Sequence, residues 1–235
     1  MRILLLLLII ISAVLTACQT VSGSGNVISE EREVASFSGI SLDSFGDLIL
    51  TQAEEQSVLI EAEDNVLPYI TTQVRNGVLE IGTQDNVSIH TNKSARYIIS
   101  TPNIEDLIIT GSGTISAESI NGDNLSLEID GSGEIFLGAV DANQVNSHIA
   151  GSGDIKIEGT TTTQKITIDG SGNYKAFNLT AEATVVNITG SGEVEVWTTE
   201  LLSVEIDGSG DVRYQGRPKI DESIAGSGTL AQISE

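Results

Sequence analysis

The tripeptide Gly-Ser-Gly returns in this chain at a nearly fixed interval. It begins at Gly111, Gly131, Gly151, Gly170, Gly190, Gly208 and Gly226, in steps of 20, 20, 19, 20, 18 and 18 residues. An eighth copy lies at Gly23-Ser24-Gly25, and the eight together hold 16 of the 24 glycines. Glycine placed this regularly is not a flexible linker. A fixed period near 20 marks a solenoid with one coil per repeat.

The flanks say which solenoid. Two residues before each motif stand Ile109, Ile129, Ile149, Ile168, Ile188, Ile206 and Ile224. Two residues after it stand Ile115, Ile135, Ile155, Tyr174, Val194, Val212 and Leu230. Four after it stand Ala117, Leu137, Ile157, Ala176, Val196, Tyr214 and Gln232, with Ser116, Lys156, Lys175, Glu195 and Arg213 in between. This alternation of period two predicts strand, turn, strand with one face buried. Hairpins would reverse strand direction and would not need an identical residue every 20. Parallel coils put each Ile about 4.8 Å above the last. The fold class read from the sequence is therefore all-β, a parallel β-helix with coils of about 20 residues, preceded by a cleaved signal peptide. The turn glycines are Gly111 and Gly113, Gly131 and Gly133, Gly151 and Gly153, Gly170 and Gly172, Gly190 and Gly192, Gly208 and Gly210, and Gly226 and Gly228. They supply positive φ or a close backbone approach where coils stack.

The net charge is −22. Such a surface repels nucleic acid and anionic lipid head groups. Aromatic residues are 4% of the chain, too few for base-stacking or sugar-stacking platforms. One cysteine precludes an intrachain disulfide.

Residues 1–17 read as a secretion signal: Arg2, then an apolar run from Ile3 to Val14, too short to span comfortably. It closes on Leu15-Thr16-Ala17-Cys18, which resembles a bacterial lipobox. That resemblance implies cleavage before Cys18 and acylation of it, giving enough chains for stable anchoring. The competing readings are a signal peptide with a chance cysteine, or an uncleaved anchor. Gln19 stands where an inner-membrane retention signal would carry Asp, which resembles outer-membrane sorting. Residues 18–25 read as a flexible tether and 26–235 as the folded head, with irregular first coils over 26–104 and regular coils over 105–235. In the first part Ser44-Phe45-Gly46 replaces Gly-Ser-Gly, and Leu42, Leu48 and Leu50 keep the offsets of the apolar columns. Residues 64–73, with Pro68, hold the one helical turn expected.

The stretches "FSGISLDSFGDLILTQ", "SVLIEAEDNVLPYI" and "NGVLEIGT", the repeats, and the closing "YQGRPKIDESIAGSG" resemble the family of the putative auto-transporter adhesin, head GIN domain. The resemblance covers essentially the whole mature chain. It implies a right-handed β-helix on a secreted bacterial lipoprotein and carries no catalytic residues. Phe45-Gly46 departs from the repeat and leaves the register of the first coils open.

Charge also falls in columns. The residue after the motif runs Thr114, Glu134, Asp154, Asn173, Glu193, Asp211, Thr229. Glu134 with Asp154, and Glu193 with Asp211, fall on adjacent coils and are candidate calcium ligands. Calcium takes six to eight oxygens, which a flat strand face rarely offers, so a solvent-facing column is the competing reading. Ser112 and its equivalents lack the nucleophile-elbow frame and read as turn residues whose hydroxyls bond between coils. His90 and His148 have no second ligand spaced near them, so no transition-metal site is expected, and His148 should face outward. Trp197 and Tyr214, on neighbouring coils, read either as coil packing or as a contact patch.

The function expected is that of a non-enzymatic lipoprotein of the cell envelope, anchored in the outer membrane and presenting a head that binds a protein or polysaccharide, without cofactor. A structural or self-associating role through coil ends is the alternative. A polysaccharide-active enzyme fits less well, because ten Lys and Arg remain in the mature chain and no loop is long enough to wall a cleft.

Overall fold

The computed structural model describes residues 19–234. The signal peptide and Cys18 lie outside the described residues. The strands in order are β1 (Gln19–Ser22), β2 (Val27–Glu31), β3 (Gly39–Asp43), β4 (Asp47–Gln52), β5 (Ser57–Glu63), β6 (Ile70–Arg75), β7 (Val78–Thr83), β8 (Val87–His90) and β9 (Arg96–Thr101). There follow β10 (Asp106–Gly111), β11 (Thr114–Gly131), β12 (Glu134–Gly151), β13 (Asp154–Gly170), β14 (Asn173–Gly190) and β15 (Glu193–Gly208), then β16 (Asp211–Gln215), β17 (Lys219–Gly226) and β18 (Thr229–Gln232). Among the described residues a single 3-10 turn, Leu67–Tyr69, falls inside the expected window.

From β10 onward every pairing is parallel. Ile109, Ile129, Ile149, Ile168, Ile188 and Ile206 stack in register, each at most 2% exposed. Burying each such side chain contributes about 1.5–3 kcal/mol, repeated once per coil. Ile224 continues the file but is 38% exposed, because among the described residues no coil covers it.

Each corner needs both of its glycines. Gly131 has φ +132, and a Cβ there would lie 2.5 Å from the Gly111 carbonyl oxygen. A Cβ on Gly133 would meet Cγ2 of Ile109 at 2.5 Å. The first glycine thus answers a backbone demand and the second a packing demand. The serine between them contributes its amide: Ser132 N–H donates to the Gly111 carbonyl at 2.8 Å, and the pattern repeats up the rod. This corrects the expectation that the hydroxyl makes the inter-coil bond.

A polar file runs inside the otherwise apolar core. Tyr174 donates to Gln164 (3.2 Å), Gln164 donates to Thr184 (3.0 Å), and Thr184 shares a hydrogen bond with Thr198 (2.6 Å). Burial pushes the Tyr174 phenol above its ordinary pKa.

The N-terminal part departs from the sequence reading in two ways. Its coils are not stacked in chain order. β3 pairs with β10 on one side and β7 on the other, and β4 lies likewise between β11 and β9. The β3–β4 coil is therefore sandwiched, and the chain goes outward before returning to β10. The outermost strands are antiparallel: β6 with β7, β5 with β9, and β2 with β5. The turn between β6 and β7 is Asn76-Gly77, with φ 52 and 81, a hairpin dipeptide suited to two left-handed residues. Antiparallel pairing closes this end, and Glu30 and Glu31 on β2 guard the remaining edge. The expected offsets hold for the sandwiched coil itself, with Leu42 over Ile109, Leu48 over Ile115 and Leu50 over Ala117.

The second departure concerns residues 19–25, expected as a flexible tether. β1 pairs in parallel with β8, and the chain after it is fastened down. Asn65 donates to the Ser22 carbonyl (2.7 Å) and accepts from Ser24 N–H (2.9 Å), while Asn26 donates to Asp64 (2.9 Å). Hydrogen bonds from Asn26 and then Ser24 hold the Asp64 carboxyl below its ordinary pKa. Glu63, 3% exposed, accepts from Gly25 N–H and from the Thr91 hydroxyl.

Candidate functional site

The rod presents its outward side chains in files, and a break in two of them makes a notch. Beyond the Gly-Ser-Gly corner, the third-residue file reads Ile49, Ser116, Phe136, Lys156, Lys175, Glu195, Arg213. The inward file beside it reads Leu50, Ala117, Leu137, Ile157. Ser116 and Ala117 are the small members of both, and Gly138 removes a side chain from the next outward position. The gap is a half-open groove of about 620 Å³, walled by Ile49 and Phe136 with Ser116 between them. Phe136 is 38% exposed, the one aromatic among the exposed large apolar side chains of the described residues.

The polar rim is uneven. Lys156 lies 3.0 Å from Glu158. Hydrogen bonds from Lys156 and then Asn178, with the Lys156 charge, hold the Glu158 carboxyl below its ordinary pKa. Glu118 is exposed and takes part in no ion pair among the described residues. The Gln52 amide donates to the carbonyls of Pro102 (3.1 Å) and Asn121 (2.9 Å) and accepts from Asn121 N–H (2.8 Å), so it is occupied in closing the corner. The sequence signal for this notch was present as Ser116, Ala117 and Gly138. It was missed because a column of apolar positions was read for polarity and not for size.

The acidic columns stand where the period put them. Glu134 faces Asp154 and Glu193 faces Asp211. Asp154 accepts from Asn173 (2.6 Å), and Arg213 reaches Glu193 (3.2 Å) and Glu195 (2.9 Å). No group of three or more His, Cys, Asp or Glu gathers among the described residues. His148 faces outward, 3.0 Å from Asp169. Trp197 and Tyr214 are separated by the sheet: Trp197 is half-buried on the outer face, and Tyr214 is a core residue at 8% exposure. Their offsets from the corner, five and four, have opposite parity, so they cannot form one contact patch.

The sequence over residues 36–218 matches the family described as putative auto-transporter adhesin, head GIN domain. The chain belongs to that family. Several solved structures share the fold. A putative adhesin from Bacteroides fragilis is 26% identical, with a TM-score of 0.87, over 91% of this chain and all of that one. A putative lipid binding protein from Parabacteroides distasonis is 24% identical, with a TM-score of 0.78, over 92% of this chain and all of that one. A putative adhesin from Parabacteroides merdae is 20% identical, with a TM-score of 0.74, over 92% of this chain and 99% of that one. No curated protein matches the chain. Among the described residues of this head GIN domain, no helix is long and apolar enough to cross a membrane.

Proposed function

We propose that this head GIN domain is a non-catalytic binding head of the cell envelope, held to the outer membrane through acylated Cys18. The observation that supports binding is the open notch between Ile49 and Phe136 on the outer face of the coils. A solenoid offers long outer faces and little enclosed volume, which suits recognition of a partner better than turnover of a substrate. Anchoring is supported by the lipobox-like Leu15-Thr16-Ala17-Cys18 and by β1, which begins one residue later. The lipid would then enter the membrane beside the closed end of the rod, without a slack linker. Metabolic labelling with a palmitate analogue tests this. Label in the wild type that disappears in Cys18→Ser, together with release from the outer-membrane fraction, is the expected result. An unlabelled wild-type protein overturns the anchor.

A second reading has its own support. β17 is exposed along its whole length, pairs among the described residues only with β15, and carries Ile220 and Ile224 at 39% and 38% exposure. Two copies could pair tail to tail there. Sedimentation of the wild type against Ile224→Lys measures it, and a monomer at all concentrations removes this reading.

A further inference from the structure

We propose that the notch seats one large apolar side chain of a basic polypeptide segment, with Glu118 receiving the flanking Lys or Arg. This rests on the reading of the domain as a binding head and names the kind of partner that head takes.

Three observations fix the occupant. The first is size. Ile49 and Phe136 lie two coils apart with Ser116 between them, so their stems are separated by about 9.6 Å. That width admits one side chain between the two walls. Pockets that take a single apolar anchor inside a polar rim are the usual centres of protein recognition. The second is charge. The Lys156 ammonium is committed to Glu158, Glu118 has no cation among the described residues, and the chain carries −22. Cations are drawn to this surface and anions are kept from it. A fatty acid or an acidic peptide would meet that field with the wrong sign. The third is the chemistry of the walls. Ile49 and Phe136 present an aliphatic chain and a phenyl ring to the gap, while polar groups such as Glu118, Ser119 and Thr51 lie around it. The Gln52 amide is already bonded to Pro102 and Asn121.

The substitutions that probe this are tolerable by the fold. Ser116→Leu places an apolar side chain in the outward file, directly between Ile49 and Phe136, and so fills the gap they leave. Glu118→Gln alters an exposed side chain only. The probe is a short fluorescent lysine-rich peptide with one central tryptophan, titrated against the mature chain by anisotropy. Binding is expected, with Trp→Ala in the peptide and Ser116→Leu in the protein each weakening it about tenfold, as for a central anchor. Glu118→Gln should weaken it about threefold, and salt at about 0.5 M should weaken it further. A glutamate-rich peptide of the same design should not bind. Ser116→Leu and Glu118→Gln proteins that bind as tightly as wild type overturn the proposal, as does a neutral oligosaccharide or monoacylglycerol shifting the Phe136 ring resonances when the peptide does not. Capture from envelope extract separates the two levels. A partner held equally by wild type and Ser116→Leu refutes the notch and leaves the binding head standing. A head that holds nothing in any of these assays refutes both.

Discussion

Replacing Gly151 by Ala tests the corner on which the stacking depends. Gly151 has φ +117, where an L side chain is strained by about 1–3 kcal/mol. The new Cβ would also lie 2.5 Å from the Gly131 carbonyl oxygen. That oxygen accepts from Ser152 N–H at 2.8 Å, so relieving the clash stretches an inter-coil hydrogen bond worth about 0.5–1.5 kcal/mol. The two effects act on one coil and sum to about 2–4 kcal/mol. Urea unfolding followed by circular dichroism reads this as a lower midpoint at unchanged slope. Ser152→Ala is the control: the serine is exposed and its amide makes the bond, so the change should stay within about 0.5 kcal/mol. A Gly151→Ala protein as stable as that control would refute the claim that corner glycine is a steric requirement of stacking.

Three other outcomes are expected. Thr184→Val breaks the internal polar file and strands the Gln164 amide and the Thr198 hydroxyl, costing about 1–3 kcal/mol by the same urea assay, more than an isosteric swap at an apolar position. Gly77→Ala, at φ 81 with open space around it, should cost only the backbone term of about 1 kcal/mol, seen as faster amide exchange across β6 and β7 with little change in global unfolding. Asp64 has a folded pKa below its ordinary 3.8, so its contribution to fastening residues 22–26 is fully present above that value and is lost as pH falls through the lower folded value. Amide exchange at Ser24 and Gly25, corrected for intrinsic rates, should therefore rise in that acid window before the coils open, and Asp64→Asn should move the rise.

The regular coils were legible because their demand repeats. An Ile every 20 residues can mean only a file, and a glycine pair beside it only a corner. The cap was not legible in the same way. Parallel and antiparallel strands share an alternation of period two, so Val58, Ile60 and Ala62 read alike in either direction. Asn76-Gly77 was the available sign of a reversal, and it sat in a stretch already assigned to coils. Residues 19–25 misled by composition: Ser and Gly suggested slack, whereas Asp64 and Asn65, forty residues on, tie them down. The notch went unread for a related reason, since it is an absence of volume at Ser116, Ala117 and Gly138 and not the presence of a motif.

The sandwiched position of the β3–β4 coil bears on how the molecule gives way under load. Drawn from its carboxyl end, the rod would surrender its later coils singly, each releasing 18–20 residues and thus about 60–70 Å of thread. Near β10 that orderly unspooling must stop. Lifting β10 and the start of β11 uncovers one edge of β3 and β4, but their other edge still grips β7 and β9. What is left by then is an interleaved clasp at the amino-terminal end, and it should yield as one block, last of all.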